Sequence, residues 1–172
     1  MLTILEKQQF DEVFRILEES FPTDEYRTYE EHKALLDRPD YRVYACWQES
    51  AIVAFFGVWD VGAYAFVEHF AVAEPFRNQG LGSRLLQELL TELGKPVCLE
   101  AELPLTELAC RRLGFYRRNG FYENDCPYIQ PPLAPGKQPV PLRLLTTGAP
   151  LTETAFQNLK AALRATVYRD KV

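Results

Sequence analysis

The 172 residues hold only two histidines and four cysteines. No two cysteines form a Cys-x-x-Cys pair, and His32 and His69 lie far apart, which argues against a zinc site. No cysteine has a histidine neighbour identifiable in the sequence, so a cysteine acyl-enzyme lacks a visible base. Cys46 and Cys98 lie in apolar, strand-like runs where buried free thiols are common. No apolar run is long enough to span a bilayer. The first seven residues lack the basic start and apolar stretch of a signal peptide. These absences point to a reduced, cytoplasmic protein. Excess positive charge is missing too: 19 basic against 24 acidic residues leave a net charge of −5. That argues against a general nucleic-acid binder and is compatible with a cationic or amine substrate.

What is present is an ordinary globular mixture, 47% hydrophobic and 25% charged. The length suits one domain, residues 1–172, which would bury roughly 70% of its unfolded surface. Phe10, Val13, Phe14, Leu17 and Phe21 recur at helical spacing, predicting a helix over residues 6–20 that Pro22 breaks. Thr28-Tyr29-Glu30-Glu31 reads as a capping box opening a second short helix toward Leu36. Residues 41–47, 51–59 and 64–72, rich in aromatic and β-branched side chains and joined by short turns, predict an antiparallel meander.

Leu81, Leu85, Leu86, Leu89, Leu90 and Leu93 then form a helical stripe over residues 80–93, ended by Gly94 and Pro96. Residues 97–103 alternate, with Val97, Leu99, Ala101 and Leu103 on one face and Cys98, Glu100 and Glu102 on the other. A right-handed crossover would set this strand parallel to the one before the helix. A further helix is expected over residues 106–118, stopped by Asn119-Gly120, with a strand starting at Phe121. Residues 127–141 carry six prolines and read as an extended loop; residues 141–145 read as an edge strand. Phe156, Leu159, Leu163 and Val167 predict a docked C-terminal helix over residues 152–168.

The segment from Val72 to Leu86 passes from a strand end through a short loop into a helix whose first turn holds Gly80 and Gly82. Unpaired amides at a helix start attract anions, and glycines let a phosphate approach the backbone. A Walker A loop is excluded because Gly82 is followed by Ser83-Arg84. A dinucleotide fingerprint is excluded because Leu85 stands where its third glycine belongs. A helix start with no ligand remains the plain alternative.

Arg77-Asn78-Gln79-Gly80-Leu81-Gly82 resembles the R/Q-x-x-G-x-G/A pyrophosphate loop of the GNAT N-acetyltransferase superfamily. Phe115-Tyr116-Arg117-Arg118-Asn119-Gly120-Phe121 resembles its F-Y-x-x-x-G-F segment. Leu99-Glu100-Ala101 resembles the fifth-strand L-E-V of the branch that acetylates ribosomal-protein alanine. The resemblance covers residues 64–121 well and the flanks by element order. It implies an α/β fold with a mixed, mostly antiparallel sheet flanked by helices, whose fourth and fifth strands splay apart. It implies acetyl-CoA as co-substrate, with Phe70, Ala71 and Val72 along the pantetheine arm. The loop residues Arg77, Asn78, Gln79, Gly80, Leu81, Gly82 and Ser83 would meet the pyrophosphate. It implies transfer to a primary amine by direct attack in a ternary complex, with no metal. Tyr116 would donate a proton to the departing thiolate. The base stays open between Glu100 and Glu68, with Glu102 on the same face as Glu100. Ala109 stands where the family usually has asparagine.

Plainer roles compete for the same residues. Tyr116 could be a core aromatic, Glu100 and Glu102 a solvated strand face, and Arg111, Arg112, Arg117 and Arg118 a solvated helix face. His69, opposite Glu68 in side-chain direction by simple alternation, reads as structural. Residues 6–36 and the proline-rich loop should wall the acceptor, with Tyr26, Tyr29, Tyr128, Asp24, Glu25, Glu30 and Glu31 as candidates. The acceptor would be a small-molecule or peptide amine, with no nucleic acid or membrane partner. The C-terminal helix would pack within the domain or across a homodimer. A CoA-binding regulatory module without turnover, and a protein-interaction domain that binds no nucleotide, are the alternatives from other classes.

Overall fold

The computed structural model describes residues 1–169. The last three residues of the expected single domain lie outside the described residues. Element order is β1 (Leu2–Ile4), α1 (Phe10–Ser20), α2 (Tyr29–Ala34), β2 (Tyr41–Gln48), β3 (Ala51–Asp60) and β4 (Ala65–Val72), then α3 (Leu81–Leu93), β5 (Val97–Glu102) and α4 (Glu107–Arg118). The chain continues through β6 (Phe121–Glu123), β7 (Tyr128–Gln130), β8 (Val140–Thr147) and α5 (Glu153–Thr166). The strands form one eight-stranded sheet in the order β1-β2-β3-β4-β5-β8-β6, with β7 also on β8. Every pairing is antiparallel except β4 with β5, the two strands joined through α3.

Each face of the sheet is covered. Phe10, Ile16 and Leu17 of α1 and Phe156 and Leu163 of α5 bury Phe55, Trp59, Phe66 and Cys98 on one side. Leu85, Leu86 and Leu89 of α3 and Leu113 of α4 bury Phe56, Val67, Val97 and Leu99 on the other. The period of 2 along each strand divides its residues between these cores.

Several boundaries differ from the sequence expectation. Residues 7–9 form a 3-10 turn closed by a Glu6–Gln9 capping box, so the first α-helix starts at Phe10. A box fixes one tight turn and does not require a continuous helix after it. The Thr28–Glu31 box does open α2. The proline-rich stretch is not all loop, since residues 128–130 form β7. The following strand is not at an edge: β8 takes β5 on one side and β6 and β7 on the other. Pro141 is tolerated because it falls beyond the last β5 pair, Glu102 with Leu142, where no amide is demanded by β5.

One irregularity shapes the centre of the molecule. Opposite β3, Gly57 pairs with His69 and Val58 with Val67, so Glu68 is an extra residue in β4. A bulge of this kind bends the strand and breaks its alternation. Glu68 and His69 consequently turn to the same side, with His69 Nδ1 3.9 Å from Glu68 Oε2. The opposite directions expected from simple alternation are corrected by that one inserted residue.

Leu89 is fully buried between α3 and the sheet. Leu89→Ala is expected to cost about 2–5 kcal/mol, read as a lower urea midpoint at unchanged slope.

Candidate active site

The parallel ladder between β4 and β5 is short. It runs through Ala65–Val97, Phe66–Cys98 and Val67–Leu99 and stops at the Glu68 bulge. Beyond it β4 stays paired with β3 as far as Val72, while β5 stays paired with β8 as far as Glu102. Their facing edges have no strand partner over residues 68–72 and 100–102, and a cleft of about 660 Å³ opens between them. That volume is in the range of small-molecule sites.

One end of the cleft is built from the glycine loop. Asn78 (φ 61°) and Gly80 (φ 75°) both take the left-handed conformation, and Gly80 caps α3 without any side-chain hydrogen bond. The first-turn amides are therefore left to a ligand or solvent. A Cβ on Gly82 would stand 3.5 Å from Phe70 and 3.6 Å from Phe115, in ordinary contact with the two rings that form the floor. Phe70 in turn stacks on Phe56, with centroids 4.1 Å apart. Phe70, Ala71, Val72, Arg77, Asn78, Gly80, Gly82 and Ser83 all line the cleft. Gln79 and Leu81 do not: Gln79 bonds back to the Pro75 carbonyl (2.9 Å), and Leu81 packs into the α3 core.

Arg77 is committed to shaping the wall. Its Nε donates to the Val72 carbonyl (2.8 Å) and its Nη2 to Ser20 Oγ (3.2 Å). The remaining arginines divide. Arg111, Arg112 and Arg118 line the cleft, Arg111 paired with Glu107 and Arg112 with Glu102, whereas Arg117 pairs with Glu123 outside it. Asn119, legible only as a helix stop, donates to Ser83 Oγ (3.1 Å) and so ties the end of α4 to the start of α3. Arg111, Arg118 and the open α3 amides suit a polyphosphate, and the unpartnered β4 edge suits an extended amide-bearing arm.

The opposite end is acidic, and its carboxylates are in different states. Glu68 is buried and ion-paired with Arg27, and it accepts from Trp59 Nε1 (2.8 Å). Burial alone would raise its pKa, but the adjacent guanidinium holds it well below the ordinary range. Glu102 accepts from Arg112. Glu100 has no cationic partner among the described residues. Its Oε1 accepts from the hydroxyls of Tyr128 and Tyr168, the latter at 2.7 Å. Burial raises its pKa to about 7 against the opposing pull of those two donors. Its face is not a solvated one, because β7, α5 and the N-terminal segment cover it.

Glu25, in a 3-10 turn after α1, also lines the cleft. Its carboxylate has no hydrogen bond or ion pair among the described residues, and burial followed by repulsion from Glu102 raises its pKa to about 7. Of the other expected wall residues, Tyr26 is buried in the core and Tyr29 bonds Asp11, while Asp24, Glu30 and Glu31 stand away from the cleft. Tyr116 faces the cleft from α4, wedged between Phe115 and Phe121. Burial pushes its phenol up to about 12, so it stays protonated at neutral pH. Cys98 is buried, and burial pushes its thiol up, which removes it as a nucleophile. Arg27, Trp59 and Tyr168 carried no local sequence signal of a site role, and Tyr128, expected at the acceptor wall, instead donates to Glu100.

The sequence profile of the Acetyltransferase (GNAT) family matches residues 10–121. Among curated proteins none matches by sequence. A solved GNAT-family structure from Bacteroides thetaiotaomicron is 31% identical, with 98% of each chain covered and a TM-score of 0.90. The ribosomal-protein-S18-alanine N-acetyltransferase of Escherichia coli shares the fold at 21% identity and TM-score 0.65, covering 88% of this chain and 95% of that one. A GNAT acetyltransferase from Elizabethkingia anophelis with acetyl-CoA bound shares it at 17% identity and TM-score 0.61, covering 87% and 97%. The matched profile spans the β4 edge, the Gly80 loop and Tyr116, the same elements that frame the cleft, and the chain belongs to the GNAT family of acetyltransferases.

Proposed function

We propose that the protein transfers the acetyl group of acetyl-CoA to a primary amine of a small molecule or peptide by direct attack, with both substrates held in the cleft together. The observation that carries this reading is the divergence of β4 and β5, which brings Glu100 and Tyr116 to one cleft with the glycine loop at its end. When bound, acetyl-CoA supplies an activated acyl thioester. The α3 amides, Arg111 and Arg118 would hold its phosphates, and the open edge at Phe70, Ala71 and Val72 would align its arm.

The acceptor arrives as an ammonium, since a free alkylamine has a pKa of about 10. Glu100 removes its proton. The cleft assists because desolvation favours both neutral forms, raising the carboxyl and lowering the ammonium. Glu68 is a poor base, because accepting a proton would leave Arg27 buried beside a neutral acid. As the nitrogen–carbon bond forms and the carbon–sulfur bond breaks, Tyr116 would hydrogen-bond the departing sulfur and pass it a proton. The nitrogen's remaining excess proton would then return to the phenolate. A thiol pKa near 8.5 makes this help mild, so Tyr116 acts mainly by hydrogen bonding. The buried Cys98 thiol offers no acyl-enzyme route, which supports transfer in a ternary complex. Glu25, unpaired and half-buried at the acceptor end, favours an acceptor that brings positive charge.

Four measurements check this reading. kcat/KM should fall on the acid side through an apparent pKa of about 7, as Glu100 takes up a proton. Glu100→Gln should abolish that limb and cut the rate about 10²–10⁴-fold, whereas Tyr116→Phe should cost about 10²-fold or less. Acetyl-CoA at 100 times its Kd should add about 2.7 kcal/mol to stability, visible as a raised melting temperature. Glu25→Gln should raise KM for the amine and leave KM for acetyl-CoA unchanged.

A further inference from the structure

The matched family profile ends at residue 121, yet the two groups that touch the proposed base come from beyond it. Tyr128 stands on β7, in the proline-rich stretch, with its hydroxyl directed at Glu100 Oε1. Tyr168 follows α5 and reaches the same oxygen at 2.7 Å. Both rings are buried, Tyr168 fully. Two neutral donors thus meet one oxygen of one carboxylate, while no described side chain donates to Oε2.

The placement of Tyr168 is itself held by polar contacts. Arg27 Nη2 donates to the Val167 carbonyl (3.1 Å) while its Nη1 pairs with Glu68. Arg27 therefore clamps the chain immediately before Tyr168, and Glu68 fixes Arg27. The second candidate base acquires a role through this clamp: it anchors the arginine that sets the tyrosine.

We infer that Tyr128 and Tyr168 are positioning residues for the acetyl transfer, gripping Glu100 by Oε1 so that Oε2 is presented to the incoming amine. This rests on the reading of Glu100 as the base. The chemistry fits the grip. A phenol donates without bringing a positive charge, so it orients a carboxylate without the large acidification that a guanidinium causes. The contrast stands in the same protein, where Glu68 meets Arg27 and Glu100 meets two tyrosines. Each O–H still stabilises the charged carboxylate, so removing one must raise the proton affinity of Glu100.

The groups facing Glu100 from the surrounding elements are Tyr128 on β7, Tyr168 after α5, Glu68 on β4 and Glu25 after α1, with Cys98 on its own strand. Glu25 and Glu68 both oppose its ionisation. Tyr128 and Tyr168 are the only hydrogen-bond donors to its side chain among the described residues.

The test is the pH profile of kcat/KM for the full-length enzyme, with acetyl-CoA and an accepted amine, in Tyr128→Phe, Tyr168→Phe and Glu100→Gln. Each Phe variant should move the acid limb upward by about one pH unit, and both together by more, with KM for acetyl-CoA unchanged. An unmoved limb in both Phe variants, with the limb lost in Glu100→Gln, would leave the base in place and overturn the positioning role. A limb that persists in Glu100→Gln when Glu25, the other cleft carboxyl raised to about 7, is also replaced by Gln would instead overturn the base reading on which the inference depends. Fluorotyrosine at position 168 keeps the packing and donates more strongly, so it should move the limb downward; no downward movement would count against the inference even where a Phe variant folds poorly.

Discussion

Two adjacent strands of this sheet part company after three residue pairs, and every functional feature of the molecule follows from that separation. A parallel pair continued to Val72 would satisfy its own backbone groups and leave nothing for a ligand. The bulge at Glu68 ends the ladder, and each strand keeps its partner on the far side. The sheet therefore stays continuous while its middle opens, and the exposed backbone edges lie inside a cleft rather than at the rim, where an unpaired strand invites aggregation.

The opening has electrical polarity. Amides at the start of α3, together with Arg111 and Arg118, make one end attractive to phosphates. Glu25 and Glu100 make the other end attractive to an ammonium. A donor carrying phosphates and an acceptor carrying positive charge would be sorted to their own ends, with the reacting atoms meeting between. An overall charge of −5 reveals none of this, because it averages over a surface where both signs are present.

The two glutamates on facing strands show how environment divides roles between identical side chains. Glu68 meets a buried guanidinium and an indole N–H, so it is locked as an anion and serves as an anchor. Glu100 is buried, accepts only from neutral phenols among the described residues and has the carboxylates of Glu68 and Glu25 nearby, so its pKa is raised to about 7. Tyr116 complements it across the cleft as a phenol that burial keeps protonated. The aromatic ladder from Phe56 through Phe70 and Phe115 fixes that phenol by packing rather than by hydrogen bonding.

The sequence by itself determined the elements and the loop: the leucine stripe of α3, the Thr28 capping box and the paired glycines that open α3 are local patterns whose physics acts within a few residues. It also named Glu68, Glu100 and Tyr116. It could not rank the two glutamates, because their partners are distant: Arg27 lies 41 residues from Glu68, and Tyr168 lies 68 residues from Glu100. Nor could alternation show that Glu68 and His69 share a side, since one inserted residue resets the period and only pairing with β3 exposes it. Prolines marked β8 as an edge, whereas the fold seats β8 between neighbours on both sides by keeping Pro141 clear of the β5 ladder. Short-range stereochemistry wrote the parts; the proton affinity of each acid was decided by what the folded chain packed against it.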